Sequence, residues 1–321
     1  MARLAWLFVS MIVALPGPLL AQDYPHRPIK MIMPNAPGAS VDVLGRIVAL
    51  KLGEALGQQI VVENKPGAGG AIGMEALKNS APDGYTVLGA STAAMAIRPN
   101  LYKNLPYDSL KDFDFASTYA ITPNAVIVSS KLPVNSVGEL IDYLRRNGDK
   151  VNMASAGAGS QSHLAGVLFM QMTGVRSVHV PYKGGGPSVA SVMADESQWS
   201  ITPAPAVVSF VKQGRLKVLA HTLPQRTELF PGMPTVAETV PGYTFSGWTG
   251  LVLPKGTPKS VVDKLRTTLL KLADTPEFKE LIAKQGAVVH TSTPEEFRQM
   301  VANEIDAMGK AVRAANLKIS E

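Results

Sequence analysis

The stretch NMASAGAGSQSHLAGVLFMQM, Asn152 to Met172, decides the fold. Asn152 to Ala154 reads as a strand end. Ser155 to Ser160 holds only serine, alanine and glycine, and His163 to Met172 follows as a helix. Strand, small-residue loop, helix is the opening of a βαβ unit. The loop exposes backbone rather than side-chain chemistry. Free N–H groups at a helix start carry partial positive charge, which the helix dipole reinforces. Glycine and alanine let a ligand come close to them. Such a loop holds an anion without any arginine, although it also serves as a plain strand–helix connection.

The same plan opens the chain. Ile29 to Met33 reads as a buried strand and Pro34 to Ser40, PNAPGAS, as the small-residue loop. Val41 to Leu56 has helical spacing, with Val43, Leu44, Ile47, Val48, Leu52 and Leu56 recurring on one face. A strand in GQQIVVEN, the glycine turn KPGAGG, a helix over Gly70 to Lys78 and a strand over Tyr85 to Leu88 follow, ending in Gly89-Ala90-Ser91-Thr92. The middle of the chain repeats this order: a strand over Ser177 to Val180, the turn PYKGGG, a helix from about Pro187, and a strand over Gln198 to Ile201 that runs into Thr202-Pro203. Alternating strands and helices imply a mainly parallel sheet flanked by helices, and two copies imply two α/β lobes. Ligands of such sheets sit outside the carboxyl ends of the strands, so both small-residue loops are expected to face one cleft. The crossings between lobes are expected at Ala116 to Thr122 and Val218 to Thr222. That makes one lobe discontinuous, 22–119 with 223–321, and the other 120–222. The helical C-terminal part, Pro258 to Lys318, is expected to pack on the first lobe.

Composition narrows the function. The chain has 321 residues, 46% hydrophobic and 17% charged, enough for a sizeable core. Arg3, an apolar run from Leu4 to Leu15, and Leu19-Leu20-Ala21 read as a secretory signal peptide cleaved near Ala21. No later segment reaches the roughly 20 apolar residues of a membrane helix. There is no cysteine. Disulfides, a thiolate nucleophile and a lipoprotein anchor are therefore excluded, and the expected location is the periplasm. The net charge of +6 is diffuse. It suits small anions and argues against a nucleic-acid partner, which calls for a concentrated basic stripe.

Enzyme signals fail in turn. Gly67 to Gly73, GAGGAIG, follows a strand, but the third glycine of a dinucleotide fingerprint falls on Ile72. There is no phosphate-binding P-loop and no nucleophile elbow. His26, His163, His179, His221 and His290 are scattered, so no metal site and no cofactor is expected. His163, at a helix start, lends a donor to the cleft or simply packs. Tyr182 and Trp248 sit near strand ends, where they line the cleft or join the core. Lys183 is a cleft-rim charge or a solvated turn residue. Arg98, before Pro99, reads as a surface residue, with contact to the ligand the lesser alternative. Asp42, in a first helical turn, would repel an anion if it pointed inward, so it is expected to hold a neighbouring donor.

Several stretches together resemble the extracytoplasmic solute receptors of tripartite tricarboxylate transporters, the Bug or TctC proteins. They are YPHRPIKMIMPNAPGASVDVLGR, VVENKPGAGGAIG, APDGYTVL, LPYDSLKDF, SAGAGSQSHLAG, VHVPYKGGGP and PGMPTVAE. The resemblance implies a two-lobed periplasmic-binding-protein-like fold, type II-like, with a hinge of crossing strands. It implies a receptor and not an enzyme. A small mono-, di- or tricarboxylate would be gripped between the lobes and delivered to the membrane components of the transporter by a chain expected to be a monomer. A carboxylate held by loop amides and water points to Pro37, Gly38, Ala39 and Ser40, and to Ser155, Ala156, Gly157, Ala158, Gly159, Ser160 and Gln161. Ser91, Thr92 and Thr202, at strand ends, would meet the rest of the ligand. The chain departs from the family at Ala36-Pro37-Gly38-Ala39, where members often have PPGG, at Ala194-Asp195 in place of a double glycine, and at Ile201-Thr202-Pro203 in place of FDN. Losing that acid removes a partner for a ligand amino group and favours a simple mono- or dicarboxylate. A sensor that presents its closed form to a signalling receptor uses the same binding and remains an alternative; an α/β enzyme is a weaker one.

Overall fold

The computed structural model describes residues 24–314; the expected leader, residues 1–21, lies outside them. The first run is β1 (Ile29–Met33), α1 (Ser40–Leu56), β2 (Ile60–Asn64), α2 (Ala71–Lys78) and β3 (Thr86–Ser91). The long strand β4 (Phe113–Val128) leads to α3 (Val137–Asn147), β5 (Asn152–Ser155), α4 (Gln161–Thr173), β6 (Val178–Pro181), α5 (Gly185–Met193), β7 (Trp199–Pro203), α6 (Val208–Lys212) and β8 (Lys217–His221). β9 (Ser246–Pro254), α7 (Lys259–Asp274), α8 (Pro276–Ala283), β10 (Val288–Val289) and α9 (Pro294–Ala314) complete it.

The strands lie in the order β2-β1-β3-β9-β4-β7-β5-β6, with β8 and β10 also paired to β4. β1 is parallel to β2 and β3, and β5 is parallel to β6 and β7. These are the two repeated units of the sequence. β1 reads as one apolar run because a parallel strand is covered on both faces. Leu44, Val48 and Leu52 of α1 cover one face of the first lobe with Leu265 and Leu269 of α7. Met74 and Leu77 of α2 cover the other with Phe297 and Val301 of α9. In the second lobe, Leu140 of α3 and Phe169 of α4 pack on Trp199, while Val189 and Val192 of α5 fill the opposite face.

The lobes are joined by antiparallel strands. β4 pairs with β9 as far as Pro123 and with β7 from Asn124 onward, so one strand serves both lobes. The return crossing differs from expectation. β8 stays in the second lobe through His221, paired to Ala125. Val236, Val240, Tyr243 and Phe245 are then buried in the second lobe's core with Phe169 and Trp199. The chain crosses back only at Phe245–Ser246. The segment between has no strand or helix period to mark its lobe, and its attachment comes from scattered apolar residues. The two crossings are tied together: the Asn124 N–H donates to Thr222 Oγ1 at 2.8 Å, and Asn124 Nδ2 and Thr222 Oγ1 both donate to the Phe245 carbonyl, at 2.7 and 2.6 Å.

Candidate functional site

Both small-residue loops stand where their strands end, and the lobes meet across them. The Cβ that an alanine would carry at Gly186 falls 3.1 Å from the Pro37 carbonyl, and one at Gly184 falls 3.0 Å from the Ala36 Cβ. Between the lobes lies a partly open cavity of about 60 Å³. The first lobe contributes Asn35, Ala39, Ser40, Val41, Ser91, Ala93, Trp248 and Thr249 to its wall. The second contributes Ala156, Ser160, Gln161, Ser162, Gly185, Thr202, Pro203 and Ala206, with Thr122 on the crossing strand. None of these side chains is charged.

Three helices begin at this wall: α1 at Ala39, α4 at Ser160 and α5 at Gly184. The caps of α1 and α5 lack the side-chain hydrogen bond that Ser136 gives α3 and Thr275 gives α8. The amides of Ser40, Val41, Gln161, Ser162 and Gly185 therefore have no acceptor among the described residues. The hydroxyls of Ser40, Thr122 and Thr202 likewise make no hydrogen bond there. Neutral donors and three positive helix ends converge on one small space, an arrangement that suits an anion.

The loops themselves are more self-sufficient than their composition implies. The Gly38 amide donates to Asp42 Oδ2 at 2.9 Å, and that of Ala39 to the Ala36 carbonyl. Asp42 is 3% exposed and also accepts from Arg46 Nε and Asn64 Nδ2, so it holds the loop and leaves the cavity clear. In the second loop the amides of Ala156, Gly157, Gly159 and Ser160 go to Ser162 Oγ, Ser155 Oγ, His163 Nδ1 and the Gly157 carbonyl. The available donors have moved one to three residues along, onto the helices. Glycine composition announces the loop; the partners that use its amides lie two to six residues away, in the loop itself or the first helical turn, and glycine content alone does not reveal them.

Of the residues singled out in the sequence, Ala39, Ser40, Ser91, Ala156, Ser160, Gln161 and Thr202 line the cavity. Pro37, Gly38, Thr92, Ser155, Gly157, Ala158, Gly159, His163 and Tyr182 do not. Thr92 Oγ1 turns away to accept from the Trp248 amide at 3.0 Å. His163 stacks on His179, ring centroids 3.8 Å apart, and burial together with that neighbour pushes its pKa down to about 4. Accepting from Gly159, the neutral His163 ring braces the loop and gives no donor to the cavity. Ser155 is buried against His179 Nε2 at 2.6 Å. Trp248, which does line the cavity, donates from Nε1 to Glu304 Oε2 at 2.5 Å. Burial raises that carboxyl to about 7. Asn35, Val41, Ser162 and Gly185 were missed. Asn35 sits two residues past β1, and the others sit one or two past the observed caps Ala39, Ser160 and Gly184. Gln161 reaches the hinge, its Nε2 donating to Asn124 Oδ1 at 3.3 Å.

Residues 44–317 match the model of the tripartite tricarboxylate transporter family receptor. The chain belongs to that family. It is similar to Protein BugT of Bordetella pertussis, 35% identical over 305 residues, 94% of each chain. Among solved structures, the periplasmic binding protein BugD is 32% identical with a TM-score of 0.87 over 92% of this chain and 99% of that one. R. palustris Rpa4515 with adipate is 30% identical with a TM-score of 0.89 over the same shares. The two-lobed α/β architecture is thus that of this family of periplasmic solute receptors, which are not enzymes. Among the described residues no helix is long and apolar enough to cross a membrane.

Proposed function

We propose that this family member binds a small carboxylate in the cavity between its lobes and passes it, in the periplasm, to the membrane components of a tripartite tricarboxylate transporter. The observation that carries the proposal is the wall itself: unpaired amides at three helix starts, unpaired hydroxyls, and no charged side chain. One carboxylate group is held by the amides of Ser40, Val41, Gln161, Ser162 and Gly185. Ser91 and Thr202 meet the remainder. Each charge-assisted hydrogen bond of this kind is worth about 1.5–3 kcal/mol when well formed. The adipate on Rpa4515, a relative of the same fold, supports the ligand class. The cavity, about 60 Å³, has room for about four to six waters at 10–15 Å³ each. That is far below the roughly 300–1,000 Å³ of sites for drug-sized molecules, and it favours a short mono- or dicarboxylate. The missing side-chain acid speaks against an amino acid, whose ammonium group would find no counter-charge.

Residues 22–321 titrated with mono-, di- and tricarboxylates and with amino acids, followed by thermal unfolding, test the proposal. A ligand at 100 times its Kd adds about 2.7 kcal/mol of stability. A shift with a short carboxylate and none with the matching amino acid is expected. Stabilisation by amino acids alone overturns the reading. Light scattering is expected to report a monomer.

A further inference from the structure

Outside the ligand cavity, and sharing only Asn35 and Ala156 with it, a second and larger pocket of about 530 Å³ opens in the seam between the lobes. The first lobe gives it Pro34 to Ala36, the glycine turn Pro66 to Gly70, Arg98 and Tyr102. The second gives Ala156 to Ala158 and Tyr182 to Gly184. Its only charged side chains are Arg98 and Lys183, and no acid lines it.

Arg98, read from the sequence as a surface residue, is 6% exposed. Its Nε donates to the Gly69 carbonyl at 3.2 Å, and its guanidinium lies 4.4 Å from the centre of the Tyr102 ring. Gly69 makes room for it, since a Cβ there would fall 1.2 Å from Nη2. This gives the glycine turn, which fits no dinucleotide, a role. Among the described residues no carboxylate lies within ion-pair distance of Arg98 or of Lys183. A buried cation is ordinarily matched by an anion, and here the fold supplies none. The Ala158 amide, in the same wall, also lacks an acceptor.

We propose that the seam pocket binds a small free oxyanion, carboxylate or phosphate in class, between Arg98 of one lobe and Lys183 of the other. Its guanidinium fork and ammonium suit such groups. Because the walls come from both lobes, the anion favours the closed form and adds to whatever closure the cavity ligand produces.

The test is a titration of 15N-labelled protein, residues 22–321, with inorganic phosphate at constant ionic strength, with radius of gyration measured alongside. Saturable amide shifts confined to residues 67–70, 157–158 and 182–184, with a fall in radius, are expected. Lys183→Gln, at an exposed position, should weaken phosphate at least tenfold while leaving the fold intact, and Arg98→Gln should abolish binding. Shifts that do not saturate, or that persist unchanged in Lys183→Gln, overturn the site. A third arm compares a monocarboxylate with a long dicarboxylate. If Lys183→Gln weakens only the dicarboxylate and phosphate does not bind, the pocket receives the far end of the cavity ligand and the free-anion proposal is wrong.

Discussion

A hydroxyl in this cavity can be removed without unpairing anything in the protein, which separates binding from stability. Thr202 is buried and lines the cavity, and its hydroxyl makes no hydrogen bond among the described residues. Thr202→Val keeps the shape, so the unliganded protein should unfold within about 0.5 kcal/mol of wild type. The remainder of the ligand loses a donor worth about 0.5–1.5 kcal/mol, roughly a two- to twelvefold rise in Kd by calorimetry. Asp42→Ala should do the reverse. Gly38, Arg46 and Asn64 all donate to that carboxylate, so its loss should cost about 1–3 kcal/mol of stability and disturb the loop before any ligand is added. An unchanged melting temperature for Asp42→Ala would mean that the loop keeps its form unaided. The places of Ser40, at the end of a small-residue loop, and of Thr202, at a strand end, were legible, and both residues line the cavity. Arg98 was not, because a charge before a proline says nothing of what buries it.

α4, at the cavity, and α9, which reaches it only through Trp248, carry a buried and a half-buried group with opposite pH dependence. At the start of α4, His163 has its pKa lowered to about 4, so between about pH 6.5 and 4 the unfolded chain takes up a proton that the folded one refuses. Stability contributed by His163 is full above pH 6.5 and falls as the pH drops through that window, by up to about 3 kcal/mol at 1.36 kcal/mol per unit. His163→Asn, which keeps an acceptor for the Gly159 amide, should flatten the acid side of a melting-temperature profile. On α9, Glu304 behaves oppositely. Its carboxyl, raised to about 7, keeps a proton that the unfolded chain loses near pH 4.5, so its contribution falls as the pH rises from about 4.5 to 7. Glu304→Gln should raise the melting temperature at pH 8 relative to wild type and change little at pH 4; equal shifts at both would remove the titration argument. The elements were the most legible part of the sequence. β1 was read with both ends correct, and α4 began two residues before its expected start. The continuity of β4 was not legible, since a strand shared by two lobes has no change of pattern where it crosses. Nor was β10, two residues that exist only because β4 offers an edge.

At the scale of the molecule, closure brings the α1 loop against the start of α5, and this contact can be blocked without touching either core. Gly186 has ordinary backbone geometry, and its missing side chain is what lets the Pro37 carbonyl approach. Gly186→Leu places a branched group in that gap. Each lobe's core lies elsewhere, in the clusters around Leu44 and Trp199, so the unliganded fold should be retained. The lobes should then stop short of contact. Small-angle scattering should show the wild-type radius of gyration falling when a carboxylate is added, and the variant's staying near its unliganded value. Affinity should fall with it, because the amides of α1 and of α4 and α5 stand on opposite lobes and reach one ligand only when the gap is shut. Gln161 extends the argument to the hinge. It lines the cavity and donates to Asn124, where the two crossing segments are tied. Gly247 lacks the Cβ that would lie 2.5 Å from the Gln161 amide. Gly247→Ala should therefore weaken binding through the hinge side of the same cavity, with no loss of contact at Gly186. If both variants bound and closed as wild type does, recognition would be the property of one lobe, and the opposed helix starts would have no part in it.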